Sequence, residues 1–339
     1  MEKGIAVGGN IFVDYIKVIE TFPRKGMLAN ITEERMSIGG CVSNTIIDLA
    51  RMDRSLSLRA LGCLGEDERG KFVLDLFEKN GIGSGGIRMR GDISTGYTDV
   101  MAALGDNTRT FFNYRGSNSL FDIGDIDFDT LDVKILHMGY ALLLDRFDGE
   151  DPEYGTVMAR ALSKARGRGI KTSLDVVSED SDRFSRVVIP SLRYCDYLVI
   201  NEVEGSLIAG IPVRDGGGKL LEQAIRGVCQ KLKELGVVES VVLHCPEGGF
   251  LLDNSGYYTM PAVNVPRDFI KGTVGAGDAF AAGALYAFYR EWEPEKVLFL
   301  ANCSAAANLS SADSVSGSRP LEELLDLGRK YGQEKPKGA

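Results

Sequence analysis

The sequence holds only two histidines, His137 and His244, a single tryptophan and no C-x-x-C pair. Two histidines rule out a His-rich metal centre. The six cysteines, Cys41, Cys63, Cys195, Cys229, Cys245 and Cys303, lack zinc-finger or disulfide-framework spacing. Several lie in apolar runs such as Tyr194–Ile200, so they read as reduced, partly buried thiols in a reducing compartment. No apolar run reaches the ~18 residues a membrane span needs. Met1-Glu2-Lys3-Gly4 passes directly into a strand-like run without a signal peptide, and a cytoplasmic location is the expectation. Positive charge is in deficit: 39 Lys and Arg against 48 Asp and Glu give a net charge of −9. Neither nucleic acid nor an anionic membrane is attracted to such a surface. What is plentiful is glycine, 41 of 339 residues, which directs the search to loops that bring backbone close to a ligand.

The length allows two domains of roughly 150 residues or one large α/β domain. Short apolar runs at Gly4–Gly8, Ser57–Leu61, Lys134–Gly139, Lys171–Asp175, Asp196–Ile200 and Val238–Leu243 read as strands. Several lack polar alternation, the mark of strands covered on both faces. Helical periodicity occupies Ser43–Met52, Glu68–Asn80, Glu153–Arg168, Lys219–Leu235, Gly277–Arg290 and Glu295–Leu309. This alternation predicts a mostly parallel sheet with helices on both sides. Ala29–Ser37 and Tyr97–Tyr114 break the pattern by alternating polar and apolar residues, with a turn at Gly105-Asp106-Asn107. They read as antiparallel strands lying over one edge of the body. A further pair, Gly249–Asp253 and Tyr257–Met260, is joined by Asn254-Ser255-Gly256.

Three segments carry chemistry. In Gly272-Thr273-Val274-Gly275-Ala276-Gly277-Asp278 the glycines leave successive backbone N–H groups open at a helix start, an anion hole with the positive end of the helix dipole. Asp278 beside it is a carboxylate where phosphate is attracted, which makes sense if it handles a proton during phosphoryl transfer. Alternatively, Asp278 is a cap and the glycines a turn. In the second segment, Gly39-Gly40-Cys41-Val42-Ser43-Asn44, the glycines admit a polyhydroxy ligand and Asn44 can bond vicinal hydroxyls. Asn10 and Asp14 follow the first strand, at the edge where open α/β sheets bind ligands, or form an Asx turn. The third is Asn201-Glu202-Val203-Glu204, an amide and a carboxylate able to hold a hydrated Mg²⁺, or an ordinary helix start.

Together these segments resemble the ribokinase-like, or PfkB, family of carbohydrate and nucleoside kinases, nearly end to end. Gly39-Gly40…Asn44 looks like the family's N-terminal signature, Asn201…Glu204 its N-x-x-E motif, and Val274-Gly275-Ala276-Gly277-Asp278 its C-terminal signature. The resemblance implies a three-layer α/β/α ribokinase-like fold with a mostly parallel central sheet and a small β-sheet lid. One domain over residues 1–333 would carry lid segments at about 11–37 and 95–115, with a frayed tail at 334–339. Asp278 would be the catalytic base, and Gly275, Ala276 and Gly277 the anion hole. Asn10, Asp14, Gly39, Gly40 and Asn44 would hold the acceptor; Asn201 and Glu204 would serve Mg²⁺ and the phosphates of ATP, with Glu204 toward the metal. Asn302 would line the adenine pocket and Gly249 close the nucleotide loop. Pairing of lid strands between subunits implies a homodimer.

The chain also departs from the family. Gly272 replaces an Asp that often helps to bind a monovalent cation, which removes the ground for a K⁺ requirement. The nucleotide loop reads His244-Cys245-Pro246-Glu247-Gly248-Gly249, and Pro246 removes a donor from it. His244 either contacts a nucleotide or is a satisfied polar residue at a strand end. Cys41 stands where ribokinases often carry Lys. Arg115 is a candidate for an acidic or phosphorylated sugar, or a solvated cation; Asp175 lies near the phosphates or caps a turn. Phe111, Phe112 and Phe121 read as packing. The expected activity is transfer of the ATP γ-phosphoryl group to a hydroxyl of a small sugar. The alternatives are a nucleoside kinase, with Phe12, Phe111 and Phe112 clamping a base, and a non-catalytic sugar-binding regulator. Val7-Gly8-Gly9-Asn10 lacks the G-x-G-x-x-G of a Rossmann dehydrogenase.

Overall fold

The computed structural model describes residues 3–105, 108–179 and 181–332. The first strands are β1 (Gly4–Gly9), β2 (Phe12–Ile19), β3 (Ile31–Gly39), β4 (Leu58–Gly65) and β5 (Gly83–Arg90). Then come β6 (Tyr97–Ala103), β7 (Thr108–Tyr114), β8 (Val133–Ala141) and a two-residue pair, β9 (Glu150–Asp151) and β10 (Gly155–Thr156). The last are β11 (Lys171–Val176), β12 (Tyr197–Asn201), β13 (Ser240–Cys245), β14 (Gly248–Leu252) and β15 (Tyr257–Pro261). Helices α1 (Cys41–Met52), α2 (Glu68–Lys79), α3 (Val157–Gly167), α4 (Phe184–Val187) and α5 (Ile189–Leu192) lie in the first half. Helices α6 (Glu202–Ala209), α7 (Glu222–Glu234), α8 (Ala276–Tyr289), α9 (Pro294–Asn308) and α10 (Leu321–Tyr331) complete the chain.

Nine strands form one sheet in the order β15-β14-β13-β12-β11-β8-β1-β4-β5. From β13 to β5 every pairing is parallel, and β13, β14 and β15 are antiparallel. Side chains alternate between two cores. Ile5 and Val7 of β1 enter one with α1, α8 and α9, while Ala6 enters the other with α3 and α7. Likewise Val199 faces the first core and Leu198 and Ile200 the second. The result is the expected three layers. The smaller sheet, β3-β2-β6-β7, is antiparallel except for the parallel β2–β6 pair.

The six body strands and six long helices stand where the periodicity predicts, with edges displaced by a few residues. Helix α3 starts at Val157 rather than Glu153 because β9 and β10 take the preceding residues, and Thr156 Oγ1 accepts from Ala159 N at 3.2 Å. Helix α7 starts at Glu222 because Leu220 bridges to Arg214. Strands β2 and β5 and helix α10 were not predicted as elements; β5 is a glycine-rich, largely exposed edge without period two. Phe121 packs, against Phe147 at 5.0 Å between centroids, but Phe111 and Phe112 are 56% and 51% exposed, so the packing expectation fails for them. The turn at Asp106-Asn107 and the tail 334–339 lie outside the described residues. All six cysteines are free thiols, five buried and Cys245 half-buried. Among the described residues, no helix is long and apolar enough to cross a membrane.

Candidate active site

Parallel strands share a common C-terminal edge, where an open α/β sheet binds its ligands. Asn10 follows β1, Tyr140 is next to last in β8, Asp175 is next to last in β11, Asn201 ends β12 and His244 is next to last in β13. The strand order therefore gathers residues far apart in sequence along one line, with the start of α8 facing them.

Asp278 sits in the first turn of α8, 6% exposed. Tyr140 Oη donates to its Oδ1 at 2.7 Å and Asn44 Nδ2 to its Oδ2 at 2.9 Å. Burial pushes its pKa up to about 6, although both hydrogen bonds favour the ionised form. The carboxyl is thus anionic at neutral pH and basic enough to accept a proton. Asn44 is itself held: its Oδ1 lies 2.8 Å from Ser314 Oγ, which is also 2.8 Å from Ile38 O.

The loop before α8 turns at Gly275, φ 79°, where a Cβ would lie 2.6 Å from Ser314 O. Only glycine fits there. The N–H groups of Gly275, Gly277 and Asp278 have no partner among the described residues. Ala276 N–H differs from the expectation: it donates to Thr273 O at 3.3 Å, closing the turn. The open cradle therefore runs over Gly275, Gly277 and Asp278 and leaves Ala276 out.

Before α1, Gly39 makes room for Asp14, whose carboxylate crowds the place where a Cβ at 39 would stand. Burial, with a smaller push from Asp278, raises Asp14 to about 6. Gly40 has φ 88° and passes close to Asn10 O. Asn10 is fully buried, with Nδ2 donating to Leu143 O at 3.0 Å and Oδ1 accepting from Tyr140 N at 2.9 Å. Its amide thus braces the β8 end that carries Tyr140. Arg115 pairs with Asp145, so it is not an idle cation.

Farther along the strand edge, Asn201 and Glu204 form the reciprocal capping box of α6, the helix-start reading of that segment. Ser178 Oγ donates to Glu204 Oε1 at 2.7 Å. Burial pushes Glu204 to about 7; burial, then the charges of Glu204 and Asp278, push Asp175 up. These carboxylates lie together without a lysine or arginine partner among the described residues. His244 packs on Phe280, 4.9 Å between centroids, beneath Gly277. Burial lowers its pKa to about 4, so the imidazole is neutral. Gly249 lies against Phe280 and Leu298, each 3.0 Å from where its Cβ would stand. Asn302 donates to Met260 O and Pro261 O at 3.3 and 3.4 Å. A cavity of about 570 Å³ lined by Arg226, Glu247, Tyr257 and Pro261 among others includes none of the groups around Asp278. Shape alone does not locate this site.

Sequence reasoning missed Tyr140, although it directly follows the predicted strand Lys134–Gly139 and the edge rule applied to Asn10 applies to it equally. It also missed Arg109 of β7. Arg109 Nη2 reaches within 3.2 Å of the Cβ position at Gly272 and has no carboxylate partner among the described residues. Burial and neighbouring Arg35 lower its pKa. No local spacing announces it.

The sequence profile of the pfkB family carbohydrate kinases matches residues 2–320. The chain is 22% identical over 292 residues to the aminoimidazole riboside kinase of Salmonella typhimurium, covering 84% of both chains. It is 23% identical over 339 residues to probable fructokinase-7 of Arabidopsis thaliana, covering 94% of this chain and 90% of the relative. Its fold matches the structure of Arabidopsis thaliana ribokinase complexed with ribose and ATP, with a TM-score of 0.78 and 20% identity over 96% and 99% of the two chains. The chain belongs to the pfkB family of carbohydrate kinases, phosphotransferases whose acceptor is an alcohol group.

Proposed function

We propose that the protein transfers the γ-phosphoryl group of ATP to a hydroxyl, primary in type, of a small sugar. The observation that carries this reading is Asp278, a buried carboxylate of pKa about 6 beside three unpartnered N–H groups at a helix start. Asp278 accepts the proton as the acceptor oxygen attacks the γ-phosphorus, and the bond to the bridging oxygen breaks to release ADP. The N–H groups of Gly275, Gly277 and Asp278 stabilise the charge on the moving phosphoryl oxygens. Asn44 and Tyr140 hold the carboxyl in place. Asp14, with Gly39 and Gly40, meets the acceptor; Asn10 positions this wall from beneath, and Arg115 borders it.

Asp175 and Glu204 are clustered oxygen ligands lacking a counter-charge, which fits Mg²⁺. When bound, the ion screens the phosphate charges. Asn201 orients Glu204 through the capping box, and His244, Gly249 and Asn302 shape the nucleotide end. Gly272 supplies no carboxylate and Arg109 brings positive charge there, so K⁺ is not required. The small sheet acts as a lid that excludes water, which would otherwise hydrolyse ATP. Exposed Ile31, Met36, Phe111 and Phe112 on that sheet fit pairing with a second copy.

The second reading, a nucleoside acceptor, is supported by the likeness to an aminoimidazole riboside kinase. It is disfavoured by the aromatic side chains, since Phe12 is 3% exposed and Phe111 and Phe112 face solvent, so they form no clamp for a base. ADP release from MgATP, measured against sugars, sugar phosphates, sugar acids and nucleosides with and without K⁺, tests the reading. Turnover on a sugar class, independent of K⁺, is expected. Absence of ATP binding would refute it.

A further inference from the structure

Cys41 and His137, to which no role is given above, converge on Asp175, the carboxylate named above with Glu204 for Mg²⁺. Cys41 opens α1, His137 lies in β8 and Asp175 in β11. One potential ligand atom from each lies within 4.8 Å of the other two, and all three residues are buried. Cys41 Sγ is 3.5 Å from His137 Nε2. A tetrahedral zinc ion, with Zn–S near 2.3 Å and Zn–N near 2.0–2.1 Å, separates two such ligands by about 3.5 Å.

The surroundings fit ligation. His137 Nδ1 lies 3.0 Å from Ser173 Oγ; a proton on Nδ1, donated to Ser173, leaves the Nε2 lone pair facing the sulfur. Burial lowers the His137 pKa to about 3, keeping the imidazole in its ligating, neutral form. Among the described residues, Asp175 accepts one hydrogen bond, from Val176 N at 2.7 Å, and no lysine or arginine pairs with it. Gly139 keeps the space between them open: a Cβ there would lie 2.6 Å from Cys41 Sγ and 3.2 Å from the Asp175 Cβ. The count of two histidines excludes a His-rich centre but not one of mixed ligands.

We propose that Cys41, His137 and Asp175 form a binding site for a soft divalent transition-metal ion, Zn²⁺ above all, with a fourth position open to water or a hydroxyl. Thiolate and imidazole discriminate against Mg²⁺, which demands hard oxygen ligands in octahedral array. Binding exchanges the thiol proton for the metal: an S–metal bond forms, the S–H bond breaks and a proton leaves to solvent, with no change of oxidation state. Asp278 lies close enough for its charge to act on both Cys41 and Asp175. A divalent charge there makes Asp278 a weaker base, and loading slows the kinase.

The test is titration of the metal-stripped, nucleotide-free protein with Co²⁺. One equivalent should produce a thiolate-to-cobalt charge-transfer band in the near ultraviolet and the visible bands of four-coordinate cobalt. Both should vanish on addition of Zn²⁺. Cys41→Ser should abolish the charge-transfer band, and Cys303→Ser, at a buried thiol of α9, should retain it. A folded wild-type protein without the band, or a band that survives Cys41→Ser, overturns the site and leaves a plain thiol–imidazole hydrogen bond. Should Cys41→Ser fail to fold, Asp175→Asn keeps thiol and imidazole and should weaken Co²⁺ by about tenfold or more; unchanged affinity overturns the site. In MgATP assays, one equivalent of Zn²⁺ should lower turnover about tenfold or more in the wild type. Undiminished turnover in the zinc-loaded protein overturns the inhibitory consequence.

Discussion

Tyr140 Oη donates to Asp278 Oδ1 at 2.7 Å across 138 residues of sequence. The bond favours the carboxylate and opposes the burial that raises its pKa to about 6. Removing the hydroxyl leaves burial less opposed. Tyr140→Phe should therefore move the acid limb of the pH–activity profile upward by about one to two units, since a hydrogen bond to a charged group contributes ~1.5–3 kcal/mol. An unshifted limb would separate Tyr140 from the proton-transfer step.

The wild-type profile follows from the same value. Asp278 must be ionised to accept a proton, so kcat/KM should rise with unit slope at low pH and level off above about 6. Steady-state rates between pH 5 and 8 measure it. A plateau extending unbroken to pH 5 would contradict a base of this pKa.

Gly275→Ala tests the cradle. At φ 79° an L side chain is strained, and its Cβ would lie 2.6 Å from Ser314 O. The loop must shift, which disturbs Ser314 and through it Asn44. Turnover should fall by ~10²–10³, the cost of losing a preorganised donor, while the melting temperature drops by a smaller amount. Full activity would remove the loop amides from the chemistry.

Stability should respond to Asp278 in the opposite direction from activity. Its folded-state pKa, about 6, exceeds the ~3.9 of an unfolded aspartate. The folded state therefore holds the proton more tightly, and relative stability is lost as pH rises through about 6. Asp278→Asn cannot ionise, so it should stabilise the fold at pH 8, by ~3 kcal/mol at most, with the gain roughly halved at pH 5. Thermal unfolding at the two pH values reads the difference. A variant less stable than wild type at pH 8 would count against a destabilising buried carboxylate.

What was legible in the sequence is what is written in contiguous residues. Gly275, Gly277 and Asp278 lie within four positions, so turn, cradle and carboxylate could be read together. Asn201 and Glu204 could be read as a cap or as a phosphate-end pair, and the structure makes the cap while setting the carboxylate beside Asp175. Ala276 was misjudged because spacing does not say which N–H closes the turn. Arg109, the bond from Tyr140 to Asp278 and the Cys41–His137–Asp175 cluster were out of reach for another reason, although the position of Tyr140 at a strand end was not. Their partners come from other strands, brought near by the β8–β1 and β11–β8 pairings and by the small sheet, and no periodicity encodes such meetings. Strand β5 was missed because its exposed edge carries no apolar pattern.

The central claim is that Asp278 takes the acceptor's proton. The most direct measurement is turnover of MgATP with the best acceptor for wild type and Asp278→Asn, alongside ATP affinity measured by calorimetry. The variant keeps the shape and a partner for Asn44 or Tyr140, so ATP should bind with little change while kcat falls by ~10²–10⁴, the range for loss of a general base. A folded variant that binds ATP and retains most of its turnover would contradict the account.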